Sequence, residues 1–315
     1  MNPALSVIFF TTLSGAGSGM LTWVGLSVLL MHVRGTTSPE LQRLQVGVLL
    51  LGAVLTIVGL LCSLAHLGKP ERAWRAFSQW RTSWLSREGV ASLAALALAG
   101  ALLVVLWPAR GPETGAAAAV LGVPLLAAAL FSVVCTAMIY ASLRPIPAWR
   151  HPLVVPAYLL FSLATGLALQ FLVMSLMLGG QDAPPMLLTL AVLGVLLSAV
   201  KWLYWYEIDQ PPKAPKRGDA IGLPGREAKV FERPHTEASF VTEEMAFVLA
   251  RRHGTRLRIL ATALFAAGPI LVLLLSGSLP ASGAVALAAT SLLAGAFVER
   301  WLFFAQARHL VTLYY

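Results

Sequence analysis

The stretch Cys62–Phe77, CSLAHLGKPERAWRAF, places a histidine at the point where an apolar run stops. His66 is followed at once by glycine, by proline and by a series of charged and aromatic residues, and Glu88 then opens the next apolar run. Histidine titrates near neutral pH, and a carboxyl group beside it can orient it or relay its proton. The two residues therefore have the chemistry to move protons at the edge of the medium that surrounds the apolar runs.

That medium is predicted to be a lipid bilayer. The chain has 315 residues, of which 58% are hydrophobic and only 12% charged, whereas a soluble domain carries about 25% charged residues. The apolar stretches are long enough to cross a bilayer, and their Leu- and Ala-rich composition without alternation favours helices over barrel strands. The expected fold class is an all-α integral membrane protein with eight transmembrane helices, arranged as two four-helix bundles in a single membrane domain, 1–315.

Gly and Pro residues, which favour turns, lie at most of the breaks between the apolar runs. The first run lacks a basic segment and a cleavage site, so it is interpreted as a retained span. In it, Gly15 and Gly19 form a G-x-x-x-G that predicts close approach of another helix. The one long polar connection, 207–256, is predicted to be a cytoplasmic insertion with a short amphipathic helix at Thr242 to His253. The predicted spans are 5–33, 44–67, 88–107, 117–142, 154–178, 187–206, 257–277 and 283–304.

The distribution of Lys and Arg predicts the orientation. The loop 68–87 and the connection 207–256 hold most of the basic residues, and the opposite side holds Arg34, Arg43 and Arg110 and almost no others. Cytoplasmic loops are the ones that carry excess Lys and Arg. Both termini, and the loop that begins after His66, are therefore expected in the cytoplasm.

Consecutive antiparallel helices would bring His66 and Glu88 near each other. Ionisable groups at membrane depth usually line a cavity or have a partner. A proton-moving pair at the membrane edge suits quinone chemistry, in which two electrons and two protons are exchanged by a molecule with an apolar tail. The alternative interpretation is interfacial snorkelling for Glu88 and helix-end capping for His66.

Further polar residues lie towards the same side. Tyr140 is near the end of the fourth span, and Arg300 follows Glu299 low in the eighth, where Arg300 has the reach to pair locally or to hold a loop carbonyl or carboxylate. Lys201 and the aromatic residues around it end the sixth span and are interpreted as an interfacial belt with a snorkelling lysine.

Neither haem nor a metal site is expected in this chain. A bis-histidine haem needs two histidines at similar depth, but His32 and His66 end neighbouring spans on opposite sides, and the other histidines lie in or near polar segments. The two cysteines, Cys62 and Cys135, lie inside apolar runs, and no Cys-x-x-Cys is present to ligate an iron–sulfur cluster or a structural zinc.

The block SLAHLGKPERAWRAF, followed by LSREGVAS, resembles the membrane anchor subunits of DMSO-reductase-type molybdoenzymes, the DmsC family, related to the NrfD-like anchors. YASLRPIPAW resembles the ending of that family's fourth helix, and Arg300 with Phe303 and Phe304 resembles its closing helix. The residues that match the first block are His66, Leu67, Gly68, Pro70, Arg72, Ala73, Ser86 and Glu88.

The resemblance implies an anchor in a bacterial inner membrane. Such an anchor holds a molybdopterin catalytic subunit and an iron–sulfur electron-transfer subunit, binds a quinone (ubiquinone or menaquinone) and carries no haem. The family's quinone-site histidine and glutamate fall on His66 and Glu88, and we place Tyr140 and Arg300 beside them as candidates. The basic residues expected to dock the iron–sulfur subunit are Lys69, Arg72, Arg75, Arg81, Arg87 and Arg233.

The connection 207–256 departs from the DMSO reductase anchors. With the N-terminal MNPALSVIFFTTLSGAGSGM, it is more similar to the anchors of cytoplasmic sulfite dehydrogenases (sulfite:quinone oxidoreductases), and a cytoplasmic basic side agrees with that subgroup. Three alternatives remain: an anchor whose complex oxidises quinol to reduce DMSO, another S- or N-oxide or polysulfide; a purely structural anchor; and a membrane transporter, which predicts discontinuous helices and charges at the membrane midplane.

Overall fold

The computed structural model describes residues 4–65, 67–107, 112–179, 183–210, 217–229, 231 and 253–310, and these residues contain no β-strand. Eight of their helices are long and apolar enough to cross a bilayer, which confirms the predicted all-α membrane fold. They are α1 Leu5–Arg34, α2 Pro39–Leu64, α3 Trp84–Leu106, α4 Gly115–Ala141, α5 Val154–Leu178, α6 Ala183–Asp209, α7 Gly254–Leu274 and α8 Ala281–Ala305. A 3₁₀ helix, Pro70–Gln79, lies between α2 and α3.

Two helix boundaries differ from the sequence expectation in a way that matters for the site. Helix α2 ends at Leu64 rather than at 67, and α3 begins at Trp84 rather than at 88. Hydropathy marks where apolar residues start, whereas α3 starts earlier because its polar first turn is held by the preceding loop. Arg87 donates hydrogen bonds to two loop carbonyls. Glu88 therefore lies inside α3 and not at its end.

The helices form two packed groups. Helices α1–α4 surround one apolar core that includes Met20, Leu49 and Leu125, and α5–α8 surround another that includes Leu190 and Phe265. Helix α1 also packs along α5 and so joins the two bundles. We call the end of the molecule at which α1, α3, α5 and α7 begin the proximal end, and the opposite end the distal end.

Helix α1 approaches its neighbours so closely that side chains are excluded at the crossings. A β-carbon at Gly19 would collide with the backbone oxygen of Ser162 on α5. Gly15, the other member of the predicted G-x-x-x-G, is different, since a β-carbon there would meet nothing within 4 Å. The motif is thus a contact at one glycine only. Two further glycines of α1 allow equally close crossings, Gly17 against Gly52 of α2 and Gly25 against Gly122 of α4.

Helix α7 contains a π turn at Ala263–Ala267, just before Pro269. Proline has no backbone N–H to donate, so one carbonyl of the preceding turn is released. The Ser291 hydroxyl on α8 donates a hydrogen bond to the backbone oxygen of Leu264 at 2.7 Å and stabilises this turn. The turn directs Phe265 into the core, where its ring packs edge-on against Phe161 of α5 at 5.4 Å.

Gly19→Ala should destabilise the protein, because the added methyl group meets a backbone carbonyl that cannot move without shifting α5. We expect a loss of about 1–3 kcal/mol, typical of overpacking, measured as a lower midpoint of thermal unfolding in detergent. Gly15→Ala is the matched control on the same helix and should leave the midpoint unchanged or higher. Equal destabilisation by both substitutions would contradict the assignment of Gly19 as the helix crossing.

Candidate functional site

A polar cavity lies towards the proximal end, where α1, α3 and α4 of one bundle meet α5 and α8 of the other. Its volume is about 20 Å³, which is enough for a bound water but far too little for an aromatic ring. One carboxyl group, Glu88, and one guanidinium group, Arg300, lie in its wall. The rest of the wall is rich in hydroxyl groups, among them those of Thr12, Ser14, Ser132, Thr136, Ser162 and Thr165.

The carboxyl group of Glu88 is buried within the first bundle. The residue is 5% exposed, and the Thr136 hydroxyl on α4 lies 3.5 Å from Glu88 Oε1 as its hydrogen-bond donor. Ser86 and Ser92, the hydroxyl residues nearest to it on α3, are buried as well. Snorkelling does not describe this side chain, because it faces the interior of the protein rather than the lipid boundary. A carboxyl group held this way, beside hydroxyls and space for water, is suited to holding and passing a proton.

Arg300 faces the same cavity from the second bundle. It is 5% exposed, and its guanidinium carbon lies 3.6 Å from the centre of the Tyr158 ring, a close cation–π contact. Its NH2 atom is 4.0 Å from Oε2 of Glu299, so local pairing is present but long. The dominant partner of Arg300 is thus an aromatic face on α5, which the sequence did not indicate.

Lys201 is not a snorkelling lysine, which corrects the interpretation of the end of α6. Its ammonium group lies 2.5 Å from Oε1 of Glu299 on α8, and the side chains of both residues are 2% exposed. The ammonium group also lies 4.1 Å from the centre of the Tyr204 ring. The face of α6 that carries Lys201 packs against α8, so the amine has a buried carboxylate within reach and no path to the surface. The sequence did contain a signal: opposite charges interrupt two apolar runs near the same end of the bundle.

Tyr140 lies outside the cavity wall. Its ring stacks near Tyr158 at 6.1 Å and packs against Trp149, Phe303 and Phe304. The indole N–H of Trp149 donates to the backbone oxygen of Phe303 at 3.0 Å and ties the α4–α5 loop to the end of α8. Tyr140 therefore belongs to an aromatic cluster behind Tyr158, and it is separated from the cavity by that residue.

His66 lies outside the described residues, but the loop that follows it is anchored beside Glu88. The Ser86 hydroxyl donates a hydrogen bond to the backbone oxygen of Ala76 in the 3₁₀ helix. Phe77 packs over Gly89, where a β-carbon would come within 2.9 Å of the ring. The α2–α3 loop is therefore fastened to the turn of α3 that carries Glu88.

The residues predicted to dock a partner differ in their availability. Lys69, Arg72, Arg75 and Arg81 are exposed on the α2–α3 loop, together with Trp74 and Trp80. Arg87 is instead committed to the loop itself, since its guanidinium group donates to the backbone oxygens of Trp80 at 3.1 Å and Arg81 at 2.5 Å. Arg233 lies outside the described residues, as do 211–216, 230 and 232–252 of the predicted insertion and, with them, the predicted helix at Thr242 to His253 except its last residue.

Comparison with known proteins agrees with this architecture. Residues 1–306 match the family described as DMSO reductase anchor subunit (DmsC). The chain is also 36% identical, over an alignment of 326 positions, to a sulfite dehydrogenase subunit from Allochromatium vinosum, and the alignment covers 100% of this chain and 99% of the relative. Both matched ranges extend across the two bundles and contain the positions that line the cavity.

Ser86→Ala should loosen the α2–α3 loop, because the backbone oxygen of Ala76 loses its donor. The loss of one such hydrogen bond, about 1 kcal/mol, corresponds to roughly fivefold faster amide hydrogen exchange across Pro70–Gln79. The control is Ser83→Ala, since Ser83 makes no capping hydrogen bond at the start of α3. Unchanged exchange in Ser86→Ala, or an equal change in the control, would show that this hydrogen bond does not hold the loop.

Proposed function

Because this chain belongs to the DMSO reductase anchor subunit (DmsC) family, we propose that it is the quinone-binding membrane subunit of a molybdopterin and iron–sulfur oxidoreductase. In this role it passes electrons between an iron–sulfur partner subunit and the quinone pool. The observation that carries the proposal is the burial of Glu88 in a hydroxyl-lined cavity, on the turn of α3 to which the loop after His66 is fastened. The name of the relative from Allochromatium vinosum supports sulfite as the molecule that the complex oxidises.

The described residues fit the proton side of this reaction. A bound quinone accepts two electrons and two protons on becoming quinol. Glu88 holds a proton at its carboxyl group and exchanges it with water in the cavity, while Arg300 across the cavity balances the charge of the carboxylate. Because the cavity is too small for the ring, we assign the quinone to the protein surface beside the α2–α3 loop. There His66 donates a hydrogen bond to a quinone oxygen.

Charge on the α2–α3 loop supports docking of the iron–sulfur subunit at the proximal end. Lys69, Arg72, Arg75 and Arg81 project from a segment with no buried residue. Like-signed exposed charge next to a binding site steers an oppositely charged partner to it. Docking there brings the partner's nearest cluster to the end of the molecule that holds Glu88, as electron transfer to quinone requires.

The position of the buried charges favours this reading over a transporter. Glu88 lies in the second turn of α3 from the proximal end, and Lys201, Glu299 and Arg300 lie within the last third of their helices at the same end. A transporter is expected to concentrate such groups at the midplane, on broken helices. The irregularity in α7 is a single π turn, and the helix continues through it.

His66→Ala and Glu88→Gln should each lower quinone-coupled turnover by roughly 10²–10⁴-fold, the range for losing a positioned acid or base. Turnover of the catalytic subunit with an artificial acceptor that bypasses the membrane should be retained. Glutamine preserves the shape of the buried side chain, so the complex should still assemble. The measurement is quinone-coupled activity in membranes that contain quantified, fully assembled complex.

Two control substitutions match these variants in residue type. Glu40→Gln and His32→Ala change exposed residues towards the distal end of the first bundle, and both should leave quinone-coupled activity at the wild-type level. Near wild-type activity in Glu88→Gln and His66→Ala would move the quinone site elsewhere in the chain and end the proposal.

We expect both termini to be cytoplasmic, because the basic loops lie at the proximal end where α1 begins and α8 ends. Fluorescent protein fused after Tyr315 should fold and fluoresce, whereas alkaline phosphatase at the same position should be inactive. The opposite pattern would place the docking loop in the periplasm and remove the argument for sulfite oxidation on the cytoplasmic side.

A further inference from the structure

Three buried polar atoms in the cavity wall make no hydrogen bond of normal geometry among the described residues, although the Tyr158 hydroxyl and the Arg300 guanidinium group interact with each other. They are Thr12 Oγ1 on α1, Tyr158 OH on α5 and Arg300 Nε on α8. A buried polar atom without a partner is costly, and ordered water normally satisfies it. The cavity volume of about 20 Å³ is enough for such a water, which needs two to four polar partners. The geometry therefore calls for bound water between the two bundles.

Tyr158 and Arg300 also form the far wall of the cavity. On their other side they line a narrow gap shared with Lys201, Glu299 and Tyr204. Because Arg300 faces both spaces, the Lys201–Glu299 ion pair lies directly behind the cavity wall. The carboxyl group of the first bundle and the ion pair of the second thus lie on opposite sides of the wall formed by Tyr158 and Arg300.

The charges in this interior balance only when Glu88 is counted. Lys201 and Arg300 carry two formal positive charges and Glu299 one negative charge, so the cluster alone has an excess of one positive charge. Glu299 is 1% exposed and Arg300 5% exposed, which leaves no bulk solvent to compensate the excess. Uncompensated charge at membrane depth is strongly unfavourable. Glu88 is the acidic residue that lines the same cavity as Arg300.

We propose that the cluster formed by Lys201, Glu299 and Arg300 is the electrostatic counterpart of Glu88, coupled to it through water bound in the cavity. This inference rests on the proposed function and deepens it. The cluster favours the carboxylate form, which takes up a proton. Protonation of Glu88 then leaves the cluster with its uncompensated positive charge, which favours passing that proton on to the reduced quinone and restores the carboxylate. Lys201 and Glu299 act as positioning residues, because neither touches the quinone and neither holds the proton that is transferred.

The other groups around Glu88 do not replace this counter-charge. Helix α1 contributes only hydroxyl groups to the cavity, and Arg87 on α3 is hydrogen-bonded to loop carbonyls. Of the charged groups in the cavity wall, Arg300 alone is a cation. The remaining titratable groups around Glu88 among the described residues are Cys135 on α4 and Tyr158 on α5, with Tyr140 of α4 behind Tyr158.

Opposite charge changes within the cluster test the proposal. The protonated carboxyl band of Glu88 is followed against pH by infrared difference spectroscopy of the intact complex, and it is assigned by its absence in Glu88→Gln. Lys201→Met removes a positive charge and should move the midpoint of the band up by about one pH unit, the lower end of the effect of a nearby charge. Glu299→Gln removes a negative charge and should move the midpoint down, by less than this amount to the extent that the unpaired Lys201 gives up its proton.

The double variant Lys201→Met/Glu299→Gln is the matched control, because it removes the ion pair but keeps the net charge of the cluster. Its midpoint should return close to that of the wild type. A merely structural role would move both single variants in the same direction, or neither, and either result overturns the proposal. Should Lys201→Met fail to assemble, Arg300→Gln, which removes the cation of the cavity wall, is measured in its place, with an upward shift in support and any other result against.

The role of the water is tested by filling the cavity from Gly15, which lines it and has open space at the β-carbon position. In a Gly15→Leu background the shift caused by Glu299→Gln should change in size, whereas in Gly15→Ala it should stay as in the parent. An identical shift in all three backgrounds would show that water does not take part.

If Glu88→Gln loses quinone turnover while the cluster variants leave the band unmoved, only this inference fails. If Glu88→Gln keeps turnover, the proposed function fails.

Discussion

A bilayer offers neither hydrogen bonds nor counter-charges, so every polar group in the spans must find its partner inside the protein. Most of the hydroxyl groups solve this locally: those of Ser14, Thr22 and Thr56 donate to backbone oxygens four residues earlier on their own helices. Charged groups cannot do so and need another helix. The pairing of Lys201 with Glu299 joins α6 to α8, and Arg300 against Tyr158 joins α8 to α5. These few charged residues thus determine which helices of the second bundle meet at the proximal end.

Helix α1 provides the other half of the arrangement. Its small residues let α2, α4 and α5 approach its backbone. Because the side chains are small, space is left beside Gly15. The backbone oxygen of Gly15 accepts a hydrogen bond from the Ser162 hydroxyl at 2.6 Å. Farther along α1 the packing is closed by the Ser18–Ser132 contact at 3.3 Å and by Met20 and the apolar core beyond it. The cavity is therefore a local opening at the junction of two bundles, and it is bounded on its distal side by apolar packing.

The fold was predictable because eight long apolar runs admit few other interpretations. The site was predictable where a residue interrupts such a run, as Glu88 does, although hydropathy alone placed it at the helix end and missed the polar turn that precedes it. Lys201 could not be interpreted correctly from its surroundings in the sequence. A lysine among aromatic residues near a helix end has the same pattern whether it reaches for the interface or faces a neighbouring helix. The signal in the sequence lies elsewhere, in Glu299, which interrupts the apolar run of α8 near the same end of the bundle. Tyr158 gave no signal at all, because its role depends on a cation from another helix.

The attachment of the α2–α3 loop has a mechanical consequence. Arg87 is hydrogen-bonded to two of its backbone oxygens, Ser86 to a third, and Phe77 is seated against Gly89. The loop and the first turns of α3 are thus one connected unit, with exposed basic and aromatic residues at its surface and the carboxyl group of Glu88 at its buried side. A partner that binds the exposed residues therefore contacts a segment whose backbone is hydrogen-bonded to the residues next to Glu88. Binding at the surface of this loop and the buried carboxyl group are in this way linked by three hydrogen bonds and one ring contact.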